Sequence, residues 1–177
     1  MNDGGHLLSI ADVTGKGVPA ALLMANLQAM IHALALQDTT LEAATGTIND
    51  FIHSNTPADK FITFFWTKIE AGGKTLKFVN AGHDYPIIFR RSKTDPMNEL
   101  NAEVEQFELN EGGLLLGALP TLAPYTVSYF TLEANDVVIF FTDGVTEVMR
   151  HKFSMKSCSC IVIASDLKVG SIQRNPI

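Results

Sequence analysis

The sequence predicts an α+β fold, with helices packed on mostly antiparallel sheet. Three observations lead there. Two helical patterns fall together near the start. Several short strand patterns, some joined by hairpin signals, fill the rest. No repeated strand–helix–strand unit of a parallel sheet appears.

Leu7–Val13 reads as a short strand and Thr14-Gly15-Lys16-Gly17 as a turn. Pro19 stands where a first helical residue would, its φ preset for the helix. Ala20–Leu36 is rich in Ala, Leu and Met and lacks Gly and Pro, which predicts a long helix. Leu23, Leu27, Met30, Ile31 and Leu34 share one face of it. A second helix is expected over Leu41–His53, with Thr39 and Glu42 at capping-box spacing. Its apolar stripe is Leu41, Ala44, Ile48, Phe51 and Ile52.

After Pro57 the pattern turns to strands. Phe61–Ile69 is aromatic and β-branched on both faces, as in a central strand buried on both sides. Gly72-Gly73 signals a hairpin with Thr75–Asn80. Pro86–Arg91, Val104–Leu109, Tyr125–Leu132 and Val137–Thr142 complete the strands, and polar Ser92–Asn101 reads as a loop. Met24, Met30, Phe61, Phe64, Phe65 and Trp66 are expected in the core.

Composition narrows the function classes. The 177 residues are 46% hydrophobic and 18% charged, which suits one folded domain. Thirteen Lys and Arg against nineteen Asp and Glu give a net charge of −6, unsuited to a nucleic-acid surface. No apolar run is read as reaching membrane-spanning length, and Met1–His6 lacks the basic start of a secretory signal. Two cysteines, Cys158 and Cys160, make no disulfide framework. A cytoplasmic protein is the expectation. Residues 151–177 stand apart: Lys152, Lys156, Lys168 and Arg174 face Asp166 alone, whereas residues 1–150 are strongly acidic. This tail reads either as a basic strand and loop or as sequence foreign to the domain.

Two segments share a form, an apolar strand ending in Asp and a small-residue turn. They are Leu8–Gly15, with Asp12, and Val138–Thr146, with Asp143. Carboxylates at strand ends are rigid yet face solvent, as a hard divalent cation requires. The bland alternative is that each Asp caps a turn. Gly15-Lys16-Gly17-Val18-Pro19-Ala20 also fits the dinucleotide pattern G-x-G-x-x-A, with Asp38 about 20 residues on. Walker A fails, because Ile10 and Gly17 stand where Gly and Ser or Thr are needed. Of the histidines only His83, in Asn80-Ala81-Gly82-His83, lies in a distinctive loop. No serine has a hydrolase context.

Ala11-Asp12-Val13-Thr14-Gly15-Lys16-Gly17-Val18-Pro19-Ala20-Ala21-Leu22-Leu23-Met24-Ala25 resembles the GDVSGKGVPAALLMA segment of bacterial metal-dependent protein phosphatases. These form the protein phosphatase 2C (PPM) superfamily, in its RsbU/SpoIIE-like serine phosphatase branch. Asn80–His83, Gly112–Gly117 and Thr142–Glu147 agree in order, so the resemblance covers residues 5–150. It implies an αββα sandwich with a site for two Mn²⁺ or Mg²⁺ ions. Asp12 matches the aspartate that bridges both metals, Val13 a carbonyl ligand, and Asp143 an aspartate on one metal. Metal-activated water would attack the phosphoester directly, without a protein nucleophile. The implied substrate is a phosphoserine or phosphothreonine on a STAS-type anti-sigma-factor antagonist. Gly15, Gly17, His83 and Gly144 are read as loop-shaping residues.

The family's GGDFYD strand is not found upstream, nor its Asp-Asp-x-Thr segment after Arg150. The resemblance is thus to a domain of residues 1–150 truncated at both ends and lacking terminal strands. Edge strands left uncovered would invite a dimer. Three classes stay open: a phosphatase, a catalytically impaired remnant that binds phosphoprotein, and a nucleotide-binding domain.

Overall fold

The computed structural model describes residues 5–91, 103–142 and 160–164. The chain divides into two compact units, Met1–His83 with Glu111–Phe130, and Asp84–Asn110 with Thr131–Ile177.

The first unit contains β1 (His6–Val13), α1 (Val18–Ala35), α2 (Leu41–Asn55), β2 (Ile62–Ile69) and β3 (Thr75–Ala81). Its four-stranded sheet has the order β1-β2-β3-β6, where β6 is Ser128–Thr131. β1 runs antiparallel to β2 from His6↔Ile69 to Val13↔Ile62, and β2 antiparallel to β3 from Phe65↔Asn80 to Ile69↔Leu76. β2 is central and largely buried, as its two apolar faces predict. One sheet face meets the helices. Leu23, Leu27 and Leu34 of α1 and Ala44, Ile48 and Ile52 of α2 cluster with Ile62, Phe64, Trp66, Val79, Ala81 and Leu116. The Trp66 indole N–H donates to Thr45 Oγ1 at 2.9 Å, and that hydroxyl donates to the Leu41 carbonyl at 2.7 Å. A buried polar pair is thereby satisfied inside an apolar core.

Local expectations need three corrections. Thr40, not Thr39, caps α2, its Oγ1 accepting the Ala43 N–H at 3.3 Å. Glu42 then falls one residue short of the reciprocal position, which Ala43 fills, so no capping box forms. Met24 and Phe51 are 36% and 37% exposed, because each lies one step around its helix from a buried neighbour, Leu23 or Ile52. The third concerns membrane length. α1 has a mean hydropathy of 1.5 and is long and apolar enough to cross a bilayer by length and composition. Asn26, Gln28 and His32 interrupt its apolar residues, but the segment holds no Asp, Glu, Lys or Arg, so the average stays high. In this fold the helix packs against α2 and β1 and buries three leucines.

The second unit holds β4 (Ile87–Arg91), β5 (Val104–Glu108), β7 (Val137–Phe141) and β8 (Cys160–Ala164), in the order β5-β4-β7-β8. All three pairings are antiparallel. The tail's apolar run thus forms a strand, β8, in register with β7 from Val137↔Ala164 to Phe141↔Cys160. The expected loop Ser92–Asn101 lies outside the described residues. The strand expected over Tyr125–Leu132 forms only at Ser128–Thr131, while Tyr125 and Val127 pack against the helical core.

Candidate metal centre

Alternation along β1 sets the site. Leu7, Ala11 and Val13 point into the helical core. Asp12, one residue out of phase with them, therefore lies on the opposite sheet face, and it is exposed. Ile62 directs both backbone groups to Leu116, N–H to O and O from N–H, each at 3.0 Å. Val13 faces Ile62, so the two form a non-hydrogen-bonded pair. The Val13 carbonyl then points away from β2, along the outer side of β1, the first strand of the sheet. Asp12 and Thr63, the next pair, fall in the hydrogen-bonded position and share a face.

The turn after Val13 is pinned by Thr14. Its N–H donates to the Phe61 carbonyl at 3.1 Å, and its Oγ1 exchanges two 3.0 Å hydrogen bonds with the Phe61 backbone. Gly15 and Gly17 have φ of +96° and +75°. A Cβ would meet nothing within 4 Å at Gly17. The glycines are needed there for backbone conformation rather than for space.

His83 is buried, and its backbone is held by Asn80 from both sides. Asn80 Oδ1 accepts the His83 N–H at 2.7 Å, and Asn80 Nδ2 donates to the His83 carbonyl at 3.0 Å. His83 Nδ1 lies 2.8 Å from Thr63 Oγ1. Thr14, Thr63 and Asn80 were not singled out from the sequence for these contacts. The cross-strand register that places Thr63 beside Asp12 comes from residues about 50 positions apart and leaves no local signal.

The Gly112–Gly117 block serves packing. Gly113 N–H donates to the Asn80 carbonyl at 2.7 Å, Leu116 bridges to Ile62, and Gly117 N–H donates to Asn49 Oδ1 at 2.8 Å. Buried Asn49 also donates to the Leu119 carbonyl at 3.0 Å and to Thr121 Oγ1 at 2.9 Å. The Thr121 N–H donates to Asp50 at 2.8 Å, and this backbone bond, with the Thr121 hydroxyl, lowers the Asp50 pKa.

Asp143 and Gly144 lie outside the described residues. Among the described residues, no group of three or more His, Cys, Asp or Glu gathers as a metal set. The donors that are described fit a hard cation in kind: an exposed carboxylate at Asp12 and an outward carbonyl at Val13. The dinucleotide reading of the Gly15–Ala20 turn is overturned. It requires parallel strands around the helix, whereas β1 and β2 are antiparallel.

Comparison with known proteins adds to this geometry. The chain is 30% identical over 142 residues to phosphoserine phosphatase RsbU of Bacillus subtilis, an overlap of 79% of this chain and 38% of RsbU. The solved PP2C phosphatase domain of SpoIIE from Bacillus subtilis, with a fragment of its regulatory domain, superposes with a TM-score of 0.64 at 19% identity. The overlap covers 85% of this chain and 41% of that one. The catalytic domain of the serine/threonine protein phosphatase PstP, crystallised with two manganese ions, gives 0.54 at 15% identity, covering 82% and 73%. These structural likenesses show the fold, the PP2C-like α+β class expected above. The chain spans well under half the length of RsbU. The family model described as Stage II sporulation protein E (SpoIIE) matches residues 2–165, from just before β1 through β8. With nearly the whole fold inside that match, the chain belongs to the SpoIIE family.

Proposed function

We propose that this chain is a metal-dependent serine/threonine phosphoprotein phosphatase domain of the sigma-factor-regulator type. Its substrate is phosphoserine or phosphothreonine on a STAS-type anti-sigma-factor antagonist. The observation that carries the reading is the fold of Ala11–Ala25. There an outer strand carries exposed Asp12 one residue before its end, a pinned glycine turn follows, and α1 begins. Asp12 and the Val13 carbonyl would hold Mn²⁺ or Mg²⁺; Asp143 is a candidate ligand from its sequence motif alone. When bound, such ions supply an activated water at neutral pH and neutralise phosphoryl charge. The chain's own part is positional. Asp12 is fixed by its ladder to Thr63, and the turn is held by Thr14, so the donors keep their places.

The test is hydrolysis of p-nitrophenyl phosphate with Mn²⁺ and with EDTA, beside Asp12→Asn. Turnover that needs Mn²⁺ and falls to background in the variant is expected. Folded protein without turnover would instead favour a phosphoprotein-binding remnant.

A further inference from the structure

Resting on that reading, we infer that Thr63 and His83 are positioning residues for the Asp12 carboxylate. Three observations converge on one face of the β1–β2–β3 sheet. First, Thr63 is the cross-strand partner of Asp12 and shares its face. Cα atoms in such a hydrogen-bonded pair are about 5.5 Å apart, so the two side chains are neighbours. Second, the Thr63 hydroxyl is engaged by His83 Nδ1 at 2.8 Å. Thr side chains sit in staggered χ1 wells, and this bond favours the one that directs Oγ1 to His83.

Third, His83 cannot follow if Thr63 turns. It is 4% exposed, and both its backbone polar groups are tied to Asn80. Asn80 in turn accepts the Gly113 N–H through its own carbonyl. The chain of restraint runs from the Gly113 loop through Asn80 and His83 to Thr63, and ends beside Asp12. Neither Thr63 nor His83 is assigned contact with phosphate. Their part is to give a metal-ligating carboxylate a fixed wall, the kind of outer support whose loss weakens metal affinity. This also accounts for a buried histidine in an otherwise small-residue loop, Asn80-Ala81-Gly82-His83.

The test measures Mn²⁺ dissociation constants by calorimetry, and thermal midpoints, for the full chain and five variants. Thr63→Val keeps the shape and removes only the hydroxyl. It should weaken Mn²⁺ binding by roughly tenfold, within the range of such outer contacts. Thr63→Ser keeps the hydroxyl and should bind within about twofold of wild type. His83→Ala should match Thr63→Val, and His83→Asn, which returns a polar atom near the Nδ1 position, should recover part of the loss. Asp12→Asn is the reference. If it abolishes Mn²⁺ binding while folded Thr63→Val and His83→Asn both bind as wild type, the positioning role is overturned and the phosphatase reading stands. If wild type binds no Mn²⁺, both are overturned. If Thr63→Ser binds as weakly as Thr63→Val, the hydroxyl is not the agent and the inference also fails.

Discussion

The two four-stranded sheets are held by different forces. The β1-β2-β3-β6 sheet rests on an apolar mass. Leu27, Ile48, Ile52, Ile62, Phe64 and Trp66 are each at most 2% exposed. Polar groups there are threaded in one at a time and fully satisfied, as at Asn49 and Thr45. The β5-β4-β7-β8 sheet also buries Ile88, Val138 and Phe140, but its inner strands β4 and β7 are clamped at one end by charge. Arg90 grips Asp136 with two bonds, at 2.9 and 2.7 Å, and reaches Glu133 at 2.9 Å and the Thr131 carbonyl at 3.0 Å. Asp136 is fully buried and also accepts the Glu133 N–H at 2.8 Å. Apolar packing is non-directional and forgiving of pH. A buried ion pair is neither, and removing one partner strands the other.

Substitutions can break this contrast. Arg90→Ala leaves the buried Asp136 charge without its partner and should cost about 3–5 kcal/mol. Hydrogen exchange should then rise first in β4 and β7, with β2 and β3 amides still protected. Equal loss across both sheets would erase the distinction. Gly117→Ala acts on the other side. Gly117 has φ of +84°, and an added Cβ would stand 2.6 Å from Ile52 Cγ2. Positive φ and overpacking together should cost about 2 kcal/mol in denaturant titration. Thr40→Ala removes only the α2 cap and should cost about 1 kcal/mol.

Acid sharpens the comparison further. Burial alone would raise the Asp136 pKa, but the Arg90 hydrogen bonds and the Glu133 N–H outweigh it and leave the pKa lowered. The Arg90 pKa is raised by the same pair. A lowered carboxylate pKa contributes stability that is present above the unfolded value, about 3.9, and lost as pH falls through the folded one. Acid titration should therefore weaken the β4–β7 region below about pH 4. Asp136→Asn should flatten that dependence while lowering stability at pH 7.

Much of this was legible in the sequence, for reasons particular residues make plain. β2 could be read as central because Phe64, Phe65 and Trp66 leave no polar face. The β2–β3 hairpin could be read from Gly72-Gly73. Asp12 could be singled out because a charged residue closes an apolar run before a glycine turn. The cap of α2 was misplaced by one residue because Thr39 and Thr40 are adjacent and chemically alike. The exposed sides of α1 escaped notice because alanine and leucine read the same inside a core and outside it. Arg90–Asp136 and Thr63–His83 were invisible, since each joins residues 46 and 20 positions apart through geometry that only the folded sheets create.

The pinning of Thr14 to Phe61, across 47 residues, also bears on synthesis. Asp12 is made about 50 residues before Thr63, the residue it pairs with across the sheet. At about 5–20 residues per second, that is a wait of several seconds. Leu116, which closes on Ile62, arrives later still. Non-local pairings of this kind are slow to form. The end of β1 is thus among the last places in this fold to acquire its final geometry, and a nascent chain halted before residue 60 would carry the Asp12 motif with none of the β2 pairing that orients it.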